Sequence, residues 1–341
     1  MRSFKRVCKS ILAFALVVCL ASALFAGFYL HTEYYYYQDF KERGDLTGTL
    51  DTLYCGASFA LRAFRPDLID PVLGTSGYNL SGSRLTMLGR YTLLEKEIRR
   101  NPVKTVVLEV SCDTLVRDTS QEGPEGELLT FARLTALDRP AYFFKAFRPK
   151  DWPLLYYDLV SKGINDVCSL LGGRVRVGNW FLTRGYFPFH EPDVPFNRDY
   201  AAIRGTQNLP AEMTPENIEL LDRITALCRD HDVELVLVNV PQSKAFNCAA
   251  SNLDVFHRWY AEYASQNGLR YYNFNLYKGI DERLTDETSF YDPHHVNNDG
   301  AAAFSELYAE FMRRADAGED LENAFYASYA EMLADPAYLG D

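Results

Sequence analysis

No two of the seven cysteines in this 341-residue sequence are spaced as CxxC, and no Cys/His spacing suits a metal. That excludes the zinc ribbons and related short-spaced sites, so no metal ligand set is expected. A dense disulfide framework is equally disfavoured, although a single bridge such as Cys168–Cys248 stays open. Positive charge is also scarce. Lys and Arg number 35 against 46 Asp and Glu, a net charge of −11, which argues against nonspecific nucleic-acid binding. An anionic polymer is repelled too, except where a local basic patch meets it. Internal repeats and low-complexity tracts are missing. No cofactor fingerprint is present, so no cofactor is expected.

What the sequence does hold begins with one long apolar run. Arg2, Lys5, Arg6 and Lys9 precede an uncharged stretch from Ile11 to Leu30, about the length a helix needs to cross a bilayer core. The basic flank orients such a helix with its N-terminus in the cytoplasm and everything after His31 outside. The expected organisation is a cytoplasmic tail over 1–9, a transmembrane helix over 10–30, a juxtamembrane linker over 31–49 and a folded domain over 50–341. Ala21-Ser22-Ala23 resembles a signal-peptidase site, so a cleaved leader and a secreted product are the rival reading. Tyr34 to Tyr37 suit a headgroup layer or a spacer.

The remainder is long enough for one large α/β domain. Lys104–Val110 (KTVVLEV) and Val233–Val240 (VELVLVNV) are near-continuous β-branched runs, as buried parallel strands require. Shorter strands are expected at Asp51–Gly56, Ser76–Leu80 and Leu269–Asn275. Helices are expected between them, at Thr214-Pro215-Glu216 onward, Leu253–Gln266 and Gly300–Arg314, with a last one over Leu321–Leu333. Alternation of this kind implies a three-layer α/β/α fold of flavodoxin-like type, with a mostly parallel five-stranded sheet. About a hundred residues, 114–213, separate two strands, too many for a plain loop. They are expected to form a helical cap insertion and to set specificity.

Two stretches carry chemistry. Cys55-Gly56-Ala57-Ser58 follows the first strand and places a hydroxyl where a glycine turn meets a helix start, the edge on which open α/β sheets build their sites. Phe290-Tyr291-Asp292-Pro293-His294-His295-Val296-Asn297-Asn298-Asp299-Gly300 sets an aspartate three residues ahead of a histidine, an arrangement that can orient an imidazole as a general base. Each residue alone more often caps a helix or closes a turn. Together, in order and at the ends of first and last strands, they point to a Ser58–His295–Asp292 triad. The Asp-x-x-His spacing selects His295 over His294. His190 and His257 read as structural. Arg62 and Arg84 lie near these loops and are candidates for contact with an anionic acceptor.

These blocks resemble the SGNH (GDSL-like) hydrolase superfamily. They are most similar to its membrane-anchored cell-envelope branch, which includes the D-alanyl-lipoteichoic acid biosynthesis protein and alginate acetyltransferase-like proteins. The resemblance runs from Leu50 to Arg314 and leaves the cap unmatched. It implies Ser58 as nucleophile, Gly82 of Asn79-Leu80-Ser81-Gly82 as an oxyanion donor, His295 as the base and Asp292 as the carboxylate that orients it. His295-Val296-Asn297 followed by Gly300 is the most specific match. The third block departs: the family's donating Asn is replaced in Ser111-Cys112-Asp113-Thr114, and an ionised Asp113 cannot donate. Ser111 and Asn79 are the candidate stand-ins. What the resemblance implies is an extracytoplasmic serine acyl-esterase or O-acyltransferase acting on a cell-wall or surface polysaccharide or teichoic polymer, with a membrane-bound O-acyltransferase as partner. A noncatalytic SGNH-like scaffold is the alternative.

Overall fold

The computed structural model describes residues 2–32, 34–116, 125–172, 183–189 and 193–339. The chain divides into two compact units, Met1–Lys41 with Phe131–Trp180, and Glu42–Thr130 with Phe181–Asp341.

The second unit holds a five-stranded sheet, all parallel, in the order β2-β1-β3-β4-β5. Its strands are β1 (Thr52–Cys55), β2 (Gly77–Asn79), β3 (Thr105–Glu109), β4 (Glu234–Asn239) and β5 (Arg270–Asn273). This is the flavodoxin-like order, fully parallel rather than mostly so. Alternate strand residues are buried on opposite faces, so both faces are covered. Tyr54, Val107, Val236 and Val238 share one core with Phe304 and Tyr308 of the helix Asn298–Asp316. Leu53, Cys55, Val106, Leu108, Leu235 and Leu237 are buried as well. The β-branched runs are strands because each residue has a covered face to enter.

Chain order reverses across the sheet between β1 and β3, which places a switch point beside the end of β1. All strands point the same way, so the loop after β1 and the loops after β5 open on one edge. Ligand sites of such sheets lie at the carboxyl ends of the strands, at that reversal.

One expectation fails. Leu321–Leu333 is not one helix: a single 3-10 turn, Glu322–Ala324, and a short helix, Tyr329–Met332, stand in its place. Phe325 is drawn instead against Phe274, Tyr277 and Phe311 and bridges Tyr277 as an isolated β-pair. Cys168 and Cys248 are both free thiols, so the bridge left open between them is not formed.

The first unit is helical. Arg2–Thr32 is one unbroken helix through the apolar run. Counting only described residues, no helix is long and apolar enough to cross a membrane. Against it packs Trp152–Leu171, the longest helix of the region expected as a cap. Arg133 and Asp39, both fully buried, close the unit with a bidentate ion pair at 2.9 Å for each bond.

Candidate active site

β1 ends at Cys55, and Gly56-Ala57 turn the chain into the helix Ser58–Ala63. The turn needs glycine because a Cβ at position 56 would lie 2.6 Å from Glu109 Cβ and 2.7 Å from Glu109 Oε2. Glu109, the last residue of β3, is fully buried beneath it. Its Oε2 accepts the Ala57 N–H (3.1 Å) and a bond from Arg90 Nη2 (3.3 Å). Arg90 is itself buried, and also donates to the Glu109 backbone carbonyl (2.6 Å) and to Leu85 O (3.3 Å). One buried ion pair thus fixes the turn that carries Ser58, the end of β3 and the loop after β2.

On the other side, Tyr291 N–H donates to His295 O (2.8 Å), and Asn297 N–H to Ser289 O (3.0 Å). The Asn297 side chain caps the helix that follows, accepting the N–H groups of Asp299 and Gly300. Gly300 permits a close pass, since a Cβ there would sit 2.0 Å from Ser289 O. The imidazole is therefore presented on a braced loop.

The two stretches meet. Ser58 Oγ lies 2.9 Å from His295 Nε2, and His295 Nδ1 lies 2.9 and 3.0 Å from the two Asp292 oxygens. A carboxylate only accepts, so Nδ1 carries the proton and Nε2 is left to accept from the serine hydroxyl. Asp292 Oδ1 also accepts the N–H groups of His294 (2.8 Å) and His295 (2.9 Å). Burial alone raises this carboxyl's pKa. The bond and charge of His295 and those two N–H groups outweigh burial and hold it below its ordinary value. It is thus a stable counter-charge for an imidazolium. His295 packs tilted on Phe59, ring centroids 5.1 Å apart.

The other predicted residues are placed as follows. Gly82 N–H donates to Gly56 O (3.2 Å), tying the second block to the nucleophile turn. Asn79 is a correction. It is fully buried and its amide donates to the carbonyls of Ala60 (3.0 Å), Leu61 (3.4 Å) and Phe64 (2.9 Å), capping the helix that begins at Ser58. With both donor hydrogens committed there, it is no oxyanion donor. Ser111 is buried, its Oγ 3.2 Å from Thr114 Oγ1. A small cleft beside Ser58 is lined by Arg84, Ser111, Asp113, Thr114 and Asn217. Arg62 does not reach into that cleft's lining. Its guanidinium stacks on Phe189 (3.8 Å) and Phe187 (4.4 Å) and donates to Phe187 O (2.8 Å). His294 is exposed and packs against Phe246, centroids 4.7 Å apart. His257 is in a helix, its Nδ1 3.3 Å from Tyr271 Oη. His190 lies outside the described residues. Among the described residues no group of three or more His, Cys, Asp or Glu side chains converges as a metal site would.

Sequence reasoning missed several residues. Glu109 and Arg90 lie inside an apolar run and a helix and carry no motif. Thr114 and Asn217 reach the cleft from distant segments. Asn298 Oδ1 accepts from Phe189 N–H (2.9 Å) and Tyr186 OH (3.0 Å), which pins the aromatic turn beside His295. Phe189 then stacks on Tyr291 at 3.8 Å.

A protein-family model matches residues 207–315, less than half of the chain. No curated protein matches. Among solved structures, the lipase/acylhydrolase from Enterococcus faecalis is similar at 11% identity, covering 79% of this chain and 96% of that one, with a TM-score of 0.35. A likeness that loose adds nothing to the argument from the site itself.

Proposed function

We propose that this chain is an extracytoplasmic serine acyl-esterase or O-acyltransferase of SGNH type, acting on acylated cell-envelope polymers through an acyl-serine intermediate. The observation that carries the reading is the Ser58–His295–Asp292 relay, every link of it at 2.9–3.0 Å. Ser58 Oγ attacks an acyl carbonyl while its proton passes to His295 Nε2. The imidazolium that forms is stabilised by Asp292. The same proton then goes to the departing alkoxide, leaving an acyl-serine. Water or a polymer hydroxyl, deprotonated by His295, releases the acyl group and restores the serine.

The oxyanion is held by the N–H groups of Ser58 and Gly82, the latter turning from the Gly56 carbonyl. The polymer is a cell-wall or surface polysaccharide or a teichoic polymer, and a membrane-bound O-acyltransferase supplies the acyl group. The helix Arg2–Thr32, with its basic start and its apolar run from Ile11 to Leu30, anchors the protein with the catalytic unit outside the cell.

A fluorophosphonate probe tests the chemistry. It should label the intact protein and fail on Ser58→Ala. The noncatalytic scaffold is favoured by one observation, the Gly82 N–H already bonded to Gly56 O. A folded protein that takes up no probe decides for that reading.

A further inference from the structure

We infer that Met87 closes the acyl subsite beside Ser58 and limits the group carried there to a short acyl, of the size of acetyl. The inference rests on the reading of Ser58 as an acyl-bearing nucleophile. A leaving alkoxide takes its proton from His295, so it departs on the imidazole's side of Ser58. The acyl substituent needs a different side. The cleft that Ser58 lines is walled by the turn after β1, the loops after β2 and β3, and the start of the helix Met87–Arg100. Among its described lining residues neither His295 nor Asp292 appears. It is the space open to the acyl substituent.

That space is small. The cavity volume is about 30 Å³. One water-sized group needs about 10–15 Å³ on that measure, so about two or three such groups fill it. A carbonyl and a methyl fit, and a longer chain does not. Arg84 is exposed at the rim, whereas Met87, Arg90, Ser111 and Thr114 are buried at the floor. Most of the floor is locked by hydrogen bonds. Arg90 is held by Glu109 and by Leu85 O. Thr114 Oγ1 accepts the Ser111 N–H (2.9 Å), and Asn217 Nδ2 donates to Leu115 O (3.3 Å). Leu85 lies against the helix, its Cδ1 2.7 Å from where a Cβ on Gly89 would be. Met87 is different. It is the first residue of its helix, just after the Thr86 cap, and its side chain is apolar and unbranched. Truncating it deepens the cleft without breaking a hydrogen bond.

The test uses the full chain in detergent with p-nitrophenyl acetate and p-nitrophenyl butyrate, which differ only in acyl length. The unaltered protein should favour acetate in kcat/KM by about tenfold or more. A buried methylene is worth about fourfold, so Met87→Ala should raise the butyrate-to-acetate ratio by about tenfold. Met87→Val removes less, should move the ratio the same way by a smaller factor, and replaces Met87→Ala if that variant folds poorly. An unaltered protein that cleaves butyrate as well as acetate overturns the inference. So does a folded Met87 variant with an unchanged ratio. Labelling by a fluorophosphonate whose phosphorus bears a methyl group keeps the two readings apart. No label and no cleavage of either ester refutes Ser58 as nucleophile, and this inference with it. A labelled Ser58 together with either overturning result refutes the role of Met87 alone.

Discussion

The buried pair behind the nucleophile is the sharpest test of how this site is held. Glu109 and Arg90 have side chains 0% and 3% exposed. Glu109→Ala leaves a buried guanidinium without its counter-charge, a loss of about 3–5 kcal/mol. It also orphans the Ala57 N–H, which in isolation costs about 1–3 kcal/mol. The two overlap, so the expected total is about 4–5 kcal/mol. For a chain of this size each kcal/mol moves the melting temperature by about 2–4 °C, so the midpoint falls by roughly 8–20 °C. Replacing both partners, as Arg90→Met with Glu109→Leu, removes the uncompensated charge. That double variant should recover most of the lost stability. It does not restore the acceptor for Ala57 N–H, so the turn carrying Ser58 stays loose. Misplacement of a reacting group by an ångström costs up to about 10²-fold. Thermal denaturation of the full chain in detergent, with the rate of fluorophosphonate labelling, reads both effects. The reasoning is refuted if the double variant is as unstable as Glu109→Ala, or if it regains stability and labels at the unaltered rate.

Other outcomes follow from the same geometry. Asp292→Asn removes the counter-charge and the constraint on the His295 tautomer, and turnover should fall by about 10⁴-fold with the fold intact. The folded-state pKa of Asp292 lies below its ordinary value. Its contribution to stability is therefore present above about pH 4, the unfolded value, and is lost as pH falls below that through the lowered folded value. Asp292→Asn should lack that part of the acid destabilisation in a pH series of melting curves. His295→Ala should abolish acyl turnover while His294→Ala leaves most of it, because His295 Nε2 bonds Ser58 Oγ. The reverse ranking would mean that the other imidazole is the base.

The sheet was readable because its signals are local. KTVVLEV and VELVLVNV name β3 and β4 from composition, and parallel direction follows from the helices between strands. The meeting of Ser58, His295 and Asp292 was readable because the loops after the first and last strands of a parallel sheet share an edge. Asn79 was misjudged for a physical reason. Its position at the end of β2 is set by topology, but the direction of its amide is set by three helix-end carbonyls that no spacing reveals. The apparent helix over Leu321–Leu333 was misread because Phe325, Tyr329 and Met332 mimic a helical stripe. Phe325 gains more by joining the aromatic cluster than by continuing a turn. Trp152–Leu171 falls inside the stretch 114–213 that was expected to be helical. That expectation does not say which apolar face meets which, so its packing on the first helix was out of reach.

Arg84 joins strain to function in a way that can be separated by experiment. Its φ is +53°, in the left-handed region, and it lines the cleft beside Ser58. That conformation costs a non-glycine residue about 1–2 kcal/mol. Strain of this kind persists where surrounding structure imposes it, often at ligand sites. If backbone geometry were the only requirement, glycine would serve better there. An arginine at this cost, lining the cleft beside Ser58 in an acidic protein, is what the proposed anionic substrate would call for. Arg84→Gly should therefore hold or raise the melting temperature while raising KM for an ester of an anionic polymer. Turnover of a small neutral ester should change little, since the triad is untouched. Equal losses on both esters would show that Arg84 shapes the turn rather than reading the substrate's charge, and the anionic acceptor would lose its support from this residue.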